Sequence, residues 1–204
     1  FFVLAGNIMT QGSIADRLVG LARAVMGKTP GGLGIATIVA CVIFAAISGS
    51  SPVTVIAVGS IMFPMLVEER YPENYSLGVL TSAGSLGIII PPSVPMIIFA
   101  IMVSSHESQV SPNDLFIAGI LPGLFIATVL VLYTMYQTRP NRRDIDIKPV
   151  VYDGTYWSNL KGQLWRSLGS LALPVLILGG IYGVLGPLKF TVTEAAAVAV
   201  VYAL

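Results

Sequence analysis

The stretch that decides the fold reads Gly32-Leu-Gly-Ile-Ala-Thr-Ile-Val-Ala-Cys-Val-Ile-Phe-Ala-Ala-Ile-Ser48-Gly49-Ser50-Ser51-Pro52-Val-Thr-Val-Ile-Ala-Val-Gly-Ser-Ile-Met-Phe-Pro-Met-Leu-Val67. Residues 33–47 and 53–67 are uninterrupted apolar segments, each about 22 Å long as a helix at 1.5 Å per residue. A bilayer's hydrocarbon core is about 30 Å thick, so neither segment crosses it. Between them Ser48-Gly49-Ser50-Ser51-Pro52 is a helix stop followed by a helix start: glycine takes the left-handed residue that ends a helix, and proline suits the first turn of the next. The expectation is a re-entrant helical hairpin over 33–67, its tip at 48–52, with Ser51 as N-cap and Pro52 at the first helical position.

Composition places this hairpin in lipid. Hydrophobic residues make up 55% of the chain and charged residues 10%, against about 25% charged in a soluble domain. Mean hydropathy is +0.84. Phe116–Met135 and Leu168–Leu185 contain no Asp, Glu, Lys or Arg, the mark of membrane-spanning helices. The fold class expected is therefore an all-α polytopic membrane protein. A net charge of +1 gives no basis for binding nucleic acid. The lone Cys41 excludes an internal disulfide and a cysteine metal site, and reads as packing. The chain opens at Phe1-Phe2-Val3 and closes inside an apolar run, so it is expected to be an internal piece of a longer protein.

Outward from the hairpin, 1–15 reads as the end of a transmembrane helix and 16–32 as a cytoplasmic connection. Residues 75–105 are long enough to cross but are interrupted at Pro91-Pro92-Ser93-Val94-Pro95. Proline removes backbone donors and clashes with the preceding turn, so this span reads as discontinuous with its break at 91–95. Residues 114–137 and 167–186 read as spans, and 193–204 as the start of another. Arg139, Arg142, Arg143, Lys148, Lys161 and Arg166 crowd into 138–166, which puts that loop in the cytoplasm by the positive-inside rule. Counting crossings then puts 16–29 and 68–74 inside as well, and the hairpin opens from the cytoplasm. Trp157, Leu160, Leu164 and Trp165 recur at helical spacing beside Lys161 and Arg166, the pattern of an interfacial amphipathic helix.

The chemistry is expected at the two breaks. Non-helical backbone at membrane depth must be satisfied by protein, water or an ion, and paired broken helices are the usual pointer to a transporter's ion and substrate site. The last carbonyls of the first half-helix, with the hydroxyls of Ser48, Ser50 and Ser51, are neutral oxygen ligands suited to a hard monovalent cation, sodium above all. Carbonyls around 85–89 and the helix start after Pro95 offer a similar set, the latter attractive to anions. Other polar residues read more plainly. Asn7 suits a bridge between helices, Thr191-Val-Thr-Glu194 spells a capping box, and His106 belongs to an external loop. With that histidine far from the serine-rich tip, serine-protease catalysis is disfavoured and no enzyme activity or cofactor is expected.

Five ordered motifs carry a family resemblance: Phe2-Val-Leu-Ala-Gly-Asn-Ile-Met9, Ile47-Ser-Gly-Ser-Ser51, Leu86-Gly-Ile-Ile-Ile-Pro-Pro-Ser-Val-Pro-Met96, Leu115-Phe-Ile-Ala-Gly-Ile-Leu-Pro-Gly123 and Thr193-Glu-Ala-Ala-Ala-Val-Ala199. Together they resemble the large membrane (M) subunit of tripartite ATP-independent periplasmic (TRAP) transporters, over nearly the whole chain. The resemblance implies a multi-pass protein of the bacterial inner membrane that imports organic acids on a sodium gradient by an elevator movement. It implies three kinds of partner besides lipid: a periplasmic substrate-binding protein, a small four-helix membrane subunit and the acid itself. It further implies that this chain is the first of two inverted repeats. By motif match it assigns Ser48, Gly49, Ser50, Ser51, Gly84 and Ser85 to a sodium site, and Thr54, Pro92 and Ser93 to the substrate cavity.

Pro52-Val-Thr-Val55 departs from the small, acidic stretch of many members, and Ile88 stands where many carry proline; the Ser-Ser-Pro-Val-Thr form is closer to members that handle C4-dicarboxylates. The competing readings are a different elevator-type sodium/anion symporter needing no binding protein, an intramembrane enzyme and a membrane scaffold.

Overall fold

The computed structural model describes residues 2–11, 14–26, 31–103, 110–138, 156–183 and 190–203. Among them every regular element is helical: α1 (Phe2–Gln11), α2 (Ile14–Met26), α3 (Gly32–Ser48), α4 (Ser51–Glu68), α5 (Glu73–Gly84), a 3₁₀ turn (Ser85–Ile88), α6 (Val94–Val103), α7 (Pro112–Gln137), α8 (Tyr156–Ile181) and α9 (Val192–Ala203). His106 and Arg139 to Lys148 lie outside the described residues, as do the side chains of Trp157, Leu160, Lys161 and Arg166.

The centre of the fold is α3. It is apolar on all sides, and Leu33, Ile35, Ile38, Cys41, Phe44 and Ile47 are buried. A helix without a polar face must be surrounded, and α2, α4, α5, α7 and α8 all pack on it. Its partner α4 returns after only Gly49 and Ser50, so the two helices fold back on one another. They run for 17 and 18 residues, about 25 and 27 Å. Pro64 lies inside α4.

An aromatic and hydroxyl cluster closes the base of the hairpin. Tyr71 and Tyr75 stack with ring centroids 5.8 Å apart, and the Tyr75 hydroxyl donates to Thr134 Oγ1 on α7 at 2.9 Å. The α3 N-terminus has no capping side chain. Glycines there let these groups approach: a Cβ on Gly31 would collide with the Thr138 side chain, and one on Gly34 with the Tyr75 hydroxyl and Thr134.

Two connections differ from the sequence reading. Residues 16–26, expected as a polar connection, form most of α2: Ala15, Leu18, Val19 and Ala22 are buried while Asp16 and Arg17 stay exposed. The spacing of those apolar residues is helical, and the charges around them masked it. The amphipathic segment before residue 166 is likewise no separate interfacial helix, because α8 runs unbroken from Tyr156 to Ile181. Its first half docks on α2, where Ser167 Oγ donates to the Arg17 carbonyl at 2.8 Å and Gly20 lies under Gln163.

Length and hydropathy single out two described helices as able to cross a bilayer, Ser51–Glu68 and Pro112–Gln137; the first corrects the expectation that 53–67 is too short to cross, because the helix takes in Ser51, Pro52 and Glu68 and reaches 18 residues. The second, α7, is 26 residues long, about 39 Å. Phe116, Gly119, Gly123, Ala127 and Thr134 form its buried face, whereas Leu121 and Phe125 on the opposite side are 80% and 69% exposed. At α9 the capping box is present: Thr191 N–H donates to Glu194 Oε2 at 2.8 Å, and Glu194 N–H points to Thr191 Oγ1 at 3.4 Å.

One ion pair ties α2 to the end of α4, Arg23 Nη2 to Glu69 Oε1 at 3.6 Å. Burial raises the Glu69 carboxyl above its ordinary 4.5, Arg23 opposes the shift and Glu68 adds to it. A raised carboxyl favours the folded state below 4.5 and loses that contribution as the pH climbs through its folded value. Arg23→Gln removes the opposing charge. Thermal melting of the full-length permease in detergent should show a deficit of up to about 1 kcal/mol at pH 7 and above, shrinking to nothing in acid. A deficit independent of pH would mean that Arg23 acts through packing alone.

Candidate functional site

At the hairpin tip the backbone turns through Gly49, in the left-handed region with φ 61° and ψ 17°, and its N–H donates to Ala45 O at 3.0 Å. Ser50 follows in extended conformation, φ −143° and ψ 125°, as the N-cap residue of α4. The helix therefore starts one residue earlier than expected: Ser51 is its first residue, Pro52 its second, and Ser50 rather than Ser51 is the cap. Ser50 caps through its carbonyl, which accepts Thr54 N–H at 3.1 Å, and not through its side chain.

Beneath the tip lies a buried hydroxyl pair. Ser48 Oγ and Thr54 Oγ1 are 2.8 Å apart, and Thr54 Oγ1 also donates to Ser50 O at 2.9 Å. Both side chains are fully buried. Ser51 points the other way, half-exposed, and its hydroxyl donates to Ser85 O at 3.2 Å. That contact bridges the hairpin and the broken span.

The break is wider than its prolines. α-Helical bonding ends at Gly84, tightens into the 3₁₀ turn, and resumes only at Val94; the expected interruption at 91–95 covered only its latter part. The Pro91–Pro92 bond is cis. Ser93, fully buried, precedes α6. Its hydroxyl donates to Ile88 O at 2.6 Å and accepts Met96 N–H at 3.4 Å, while its carbonyl accepts Ile97 N–H at 3.2 Å.

This corrects the expectation of an anion-attracting start for α6. The helix begins at Val94, before Pro95 rather than after it, and its first donors are already used. Val94 N–H donates to Gly49 O at 3.2 Å, Pro95 has none, and Met96 and Ile97 donate to Ser93. The carbonyls expected to be open are also partnered in part: Ser85 O accepts from Ser51, Leu86 O from Ile89 and Ile90 N–H, and Ile88 O from Ser93.

The two breaks thus form one assembly. Ser48, Gly49, Ser50, Ser51 and Ser85 come together, with Thr54 below the tip, the Pro92 carbonyl and Val94 N–H against Gly49, and Ser93 between those two in the chain. Gly84 has a different setting: a Cβ there would strike the Val55 side chain, so the glycine permits close packing of α5 on α4. Four further glycines shape the site and were not anticipated. A Cβ on Gly87 would lie 2.8 Å from Ser50 O and 2.9 Å from Ser51 N; on Gly6, 3.2 Å from Ser48 Cβ; on Gly119, 2.6 Å from Ile89 O; and on Gly123, 2.9 Å from Ile90 Cγ1. The spacing of Gly119 and Gly123 was the available signal, since small residues four apart let helices approach closely.

The donors at this assembly are neutral hydroxyls and carbonyls, and among the described residues no cluster of three His, Cys, Asp or Glu side chains assembles. Such oxygens are hard, uncharged ligands. All-helical architecture, a 26-residue apolar helix and two interlocked helix breaks are the build of a helical membrane transport protein.

The sequence pattern of the family described as "Tripartite ATP-independent periplasmic transporter, DctM component" matches residues 1–204, and the chain belongs to that family. It is 38% identical over 216 residues to the C4-dicarboxylate TRAP transporter large permease protein DctM of Rhodobacter capsulatus, covering 100% of this chain and 46% of the relative. With the ectoine TRAP transporter large permease protein TeaC of Halomonas elongata it shares 38% over 202 residues, 99% of this chain and 44% of that one. With the isethionate TRAP transporter permease protein DctMQ of Oleidesulfovibrio alaskensis it shares 37% over 209 residues, 100% and 30%. The chain spans less than half the length of these relatives. They are named as permeases, in keeping with the expectation of a transporter and not an enzyme.

Gly49→Ala tests the tip. The left-handed backbone alone costs about 1–2 kcal/mol with a Cβ, and the added methyl would press on the Pro92 carbonyl oxygen. Melting of the full-length protein in detergent should fall by the equivalent of at least ~2 kcal/mol. An unchanged melting temperature would show that tip and break are not in contact.

Proposed function

We propose that this chain is half of the transport unit of a sodium-coupled TRAP importer of small organic acids in the bacterial inner membrane. Membership of the DctM family supports transport, and the convergence of Ser51 Oγ and Ser85 O at 3.2 Å is the observation that carries the ion reading. A hydroxyl hydrogen-bonded to a carbonyl becomes, on rotation of its proton, a pair of oxygens facing one cation. Ser48, Gly49 and Ser50 offer further hydroxyl and carbonyl oxygens within the same turn, several of them exchanging a protein hydrogen bond for the ion as Ser51 does, and Gly84 lets α5 come close enough to contribute Ser85. On this reading the hairpin is re-entrant from the cytoplasm, and the remaining ligands come from the part of the protein beyond this chain.

The substrate is read as an acid held on the half-exposed side of the tip, where Ser51 and Pro52 open α4 without a capping side chain. Thr54, Pro92 and Ser93 back that surface from inside the protein, Thr54 and Ser93 being fully buried and so not in contact with the acid. The names of the relatives span a C4-dicarboxylate, a sulfonate and the zwitterion ectoine; the chemistry common to them is a small molecule with an anionic head. A C4-dicarboxylate or similar carboxylate is the substrate proposed here, delivered by a periplasmic binding protein to a permease braced by a small four-helix subunit, and moved by an elevator displacement. A symporter working without a binding protein fits the hairpin equally, but not the family.

The test is uptake of labelled succinate by the full-length permease in proteoliposomes, with its small subunit and binding protein, under a sodium or a potassium gradient. Sodium-dependent uptake that requires the binding protein is the expected result. Ser51→Ala should raise the sodium concentration for half-maximal uptake about tenfold, equivalent to about 1.4 kcal/mol. Unaltered sodium dependence would remove Ser51 from the ion site, and uptake indifferent to sodium would overturn the coupling.

A further inference from the structure

We propose that Ser93 is a positioning residue: its side chain braces the break and so holds the hairpin tip in ion-binding geometry, without itself touching the transported acid. This rests on the sodium reading of the tip. The hydroxyl of Ser93 is fully buried and already has a donor and an acceptor role, to Ile88 O at 2.6 Å and from Met96 N–H at 3.4 Å. It therefore joins the end of the 3₁₀ turn to the first turn of α6 across the non-helical segment between them.

What this staple fixes is the tip. Val94, the residue after Ser93, donates its N–H to Gly49 O at 3.2 Å. Gly49 in turn has room only for hydrogen against the Pro92 carbonyl, and Gly87 only for hydrogen against the Ser50–Ser51 peptide. The position of Ser51 Oγ relative to Ser85 O is set by these contacts. Without the Ser93 hydroxyl, Ile88 O and Met96 N–H lose their partner in a buried place, where an unmade hydrogen bond is unfavourable. The chain can recover those bonds only by shifting the turn, and a shift of the turn moves Ser85 away from Ser51. Groups that orient ligands from behind in this way weaken metal binding when removed, although they never touch the ion.

The experiment uses the full-length permease in detergent with sodium alone as the probe, then the reconstituted complex. For Ser93→Ala, the sodium concentration giving half-maximal thermal stabilisation should rise roughly ten- to hundredfold, while melting in potassium stays high enough to show a folded protein. The order in which succinate, isethionate and ectoine compete for uptake should be unchanged. Ser93→Thr, which keeps the hydroxyl, should restore sodium sensitivity to within about threefold of wild type. Gly87→Ala, which displaces the same tip from another side, should reproduce the sodium defect if Ser93→Ala fails to fold. A changed order of competing acids with normal sodium sensitivity would place the hydroxyl on the substrate and overturn the proposal; so would Ser93→Ala or Gly87→Ala behaving as wild type. Wild-type protein that responds equally to sodium and potassium would instead defeat the underlying sodium reading.

Discussion

The hydrogen bond from Val94 N–H to the Gly49 carbonyl joins the two interruptions of this helical fold. In hydrocarbon, backbone groups that leave a helix have no water to turn to, and each unsatisfied one is costly. A chain with one break must find partners for its freed groups elsewhere. This chain has two, and sets them against each other: the carbonyl left over by the turn at Gly49 accepts the amide left over at the start of α6. Around this bond the remaining demands are met locally. Gly49 N–H returns to Ala45, Ser93 caps α6, and Ser48 with Thr54 serves the Ser50 carbonyl. Close approach follows as a requirement, which explains why Gly49 and Gly87 stand where any side chain would intrude.

Satisfying the breaks internally also divides the oxygens into two sets. Ser48, Thr54 and Ser93 hydroxyls are buried and engaged with the protein. Ser51 and Ser85 are left toward the exposed side, joined to each other through a single hydroxyl-to-carbonyl bond. The first set ties the tip to the rest of the protein, and on the ion reading proposed above the second is where a ligand replaces a protein contact at little loss. A polar cluster in which every oxygen was equally engaged would have no such place.

Much of the hairpin was legible in the sequence because length and turn chemistry constrain it from both ends. Residues 33–47 and 53–67 are bounded by Gly and Pro signals that leave a register uncertainty of one residue, and the structure uses that freedom in making Ser50 the cap. The broken span was legible as broken at Pro91–Pro95. Its earlier half was not, because Ser85-Leu-Gly-Ile88 carries no residue that forbids an α-helix; the 3₁₀ turn there lies against the hairpin tip, with Ser85 O accepting from Ser51 and Gly87 close to the Ser50–Ser51 peptide, contacts that no local sequence pattern announces. The same reason hid the capped state of α6. A proline-rich helix start with a preceding serine reads as an anion site until the carbonyl of Gly49, 45 residues away in sequence, takes the first amide. Charge misled in the other direction at α2, where Asp16, Arg17 and Arg23 concealed a buried apolar stripe.

The absence of charge in the assembly has a consequence for coupling. From Thr29 to Val67 and from Asn74 to Ser105 the sequence contains no Asp, Glu, Lys or Arg, so both breaks are built from neutral groups alone. An isolated carboxylate or an isolated cation moved from water into such surroundings loses several kcal/mol of solvation that hydroxyls and carbonyls return only in part. On the reading proposed above, a sodium ion beside Ser51 and an acid on the exposed side of the tip each supply the counter-charge that this part of the protein lacks. Mutual attraction at reduced dielectric then makes the binding of each favour the other, and the coupling free energy is by necessity reciprocal. A fixed lysine or arginine at the tip would hold the anion without the ion and abolish that dependence. On that reading, neutrality at Ser48 to Pro52 is what lets a gradient of one solute drive another.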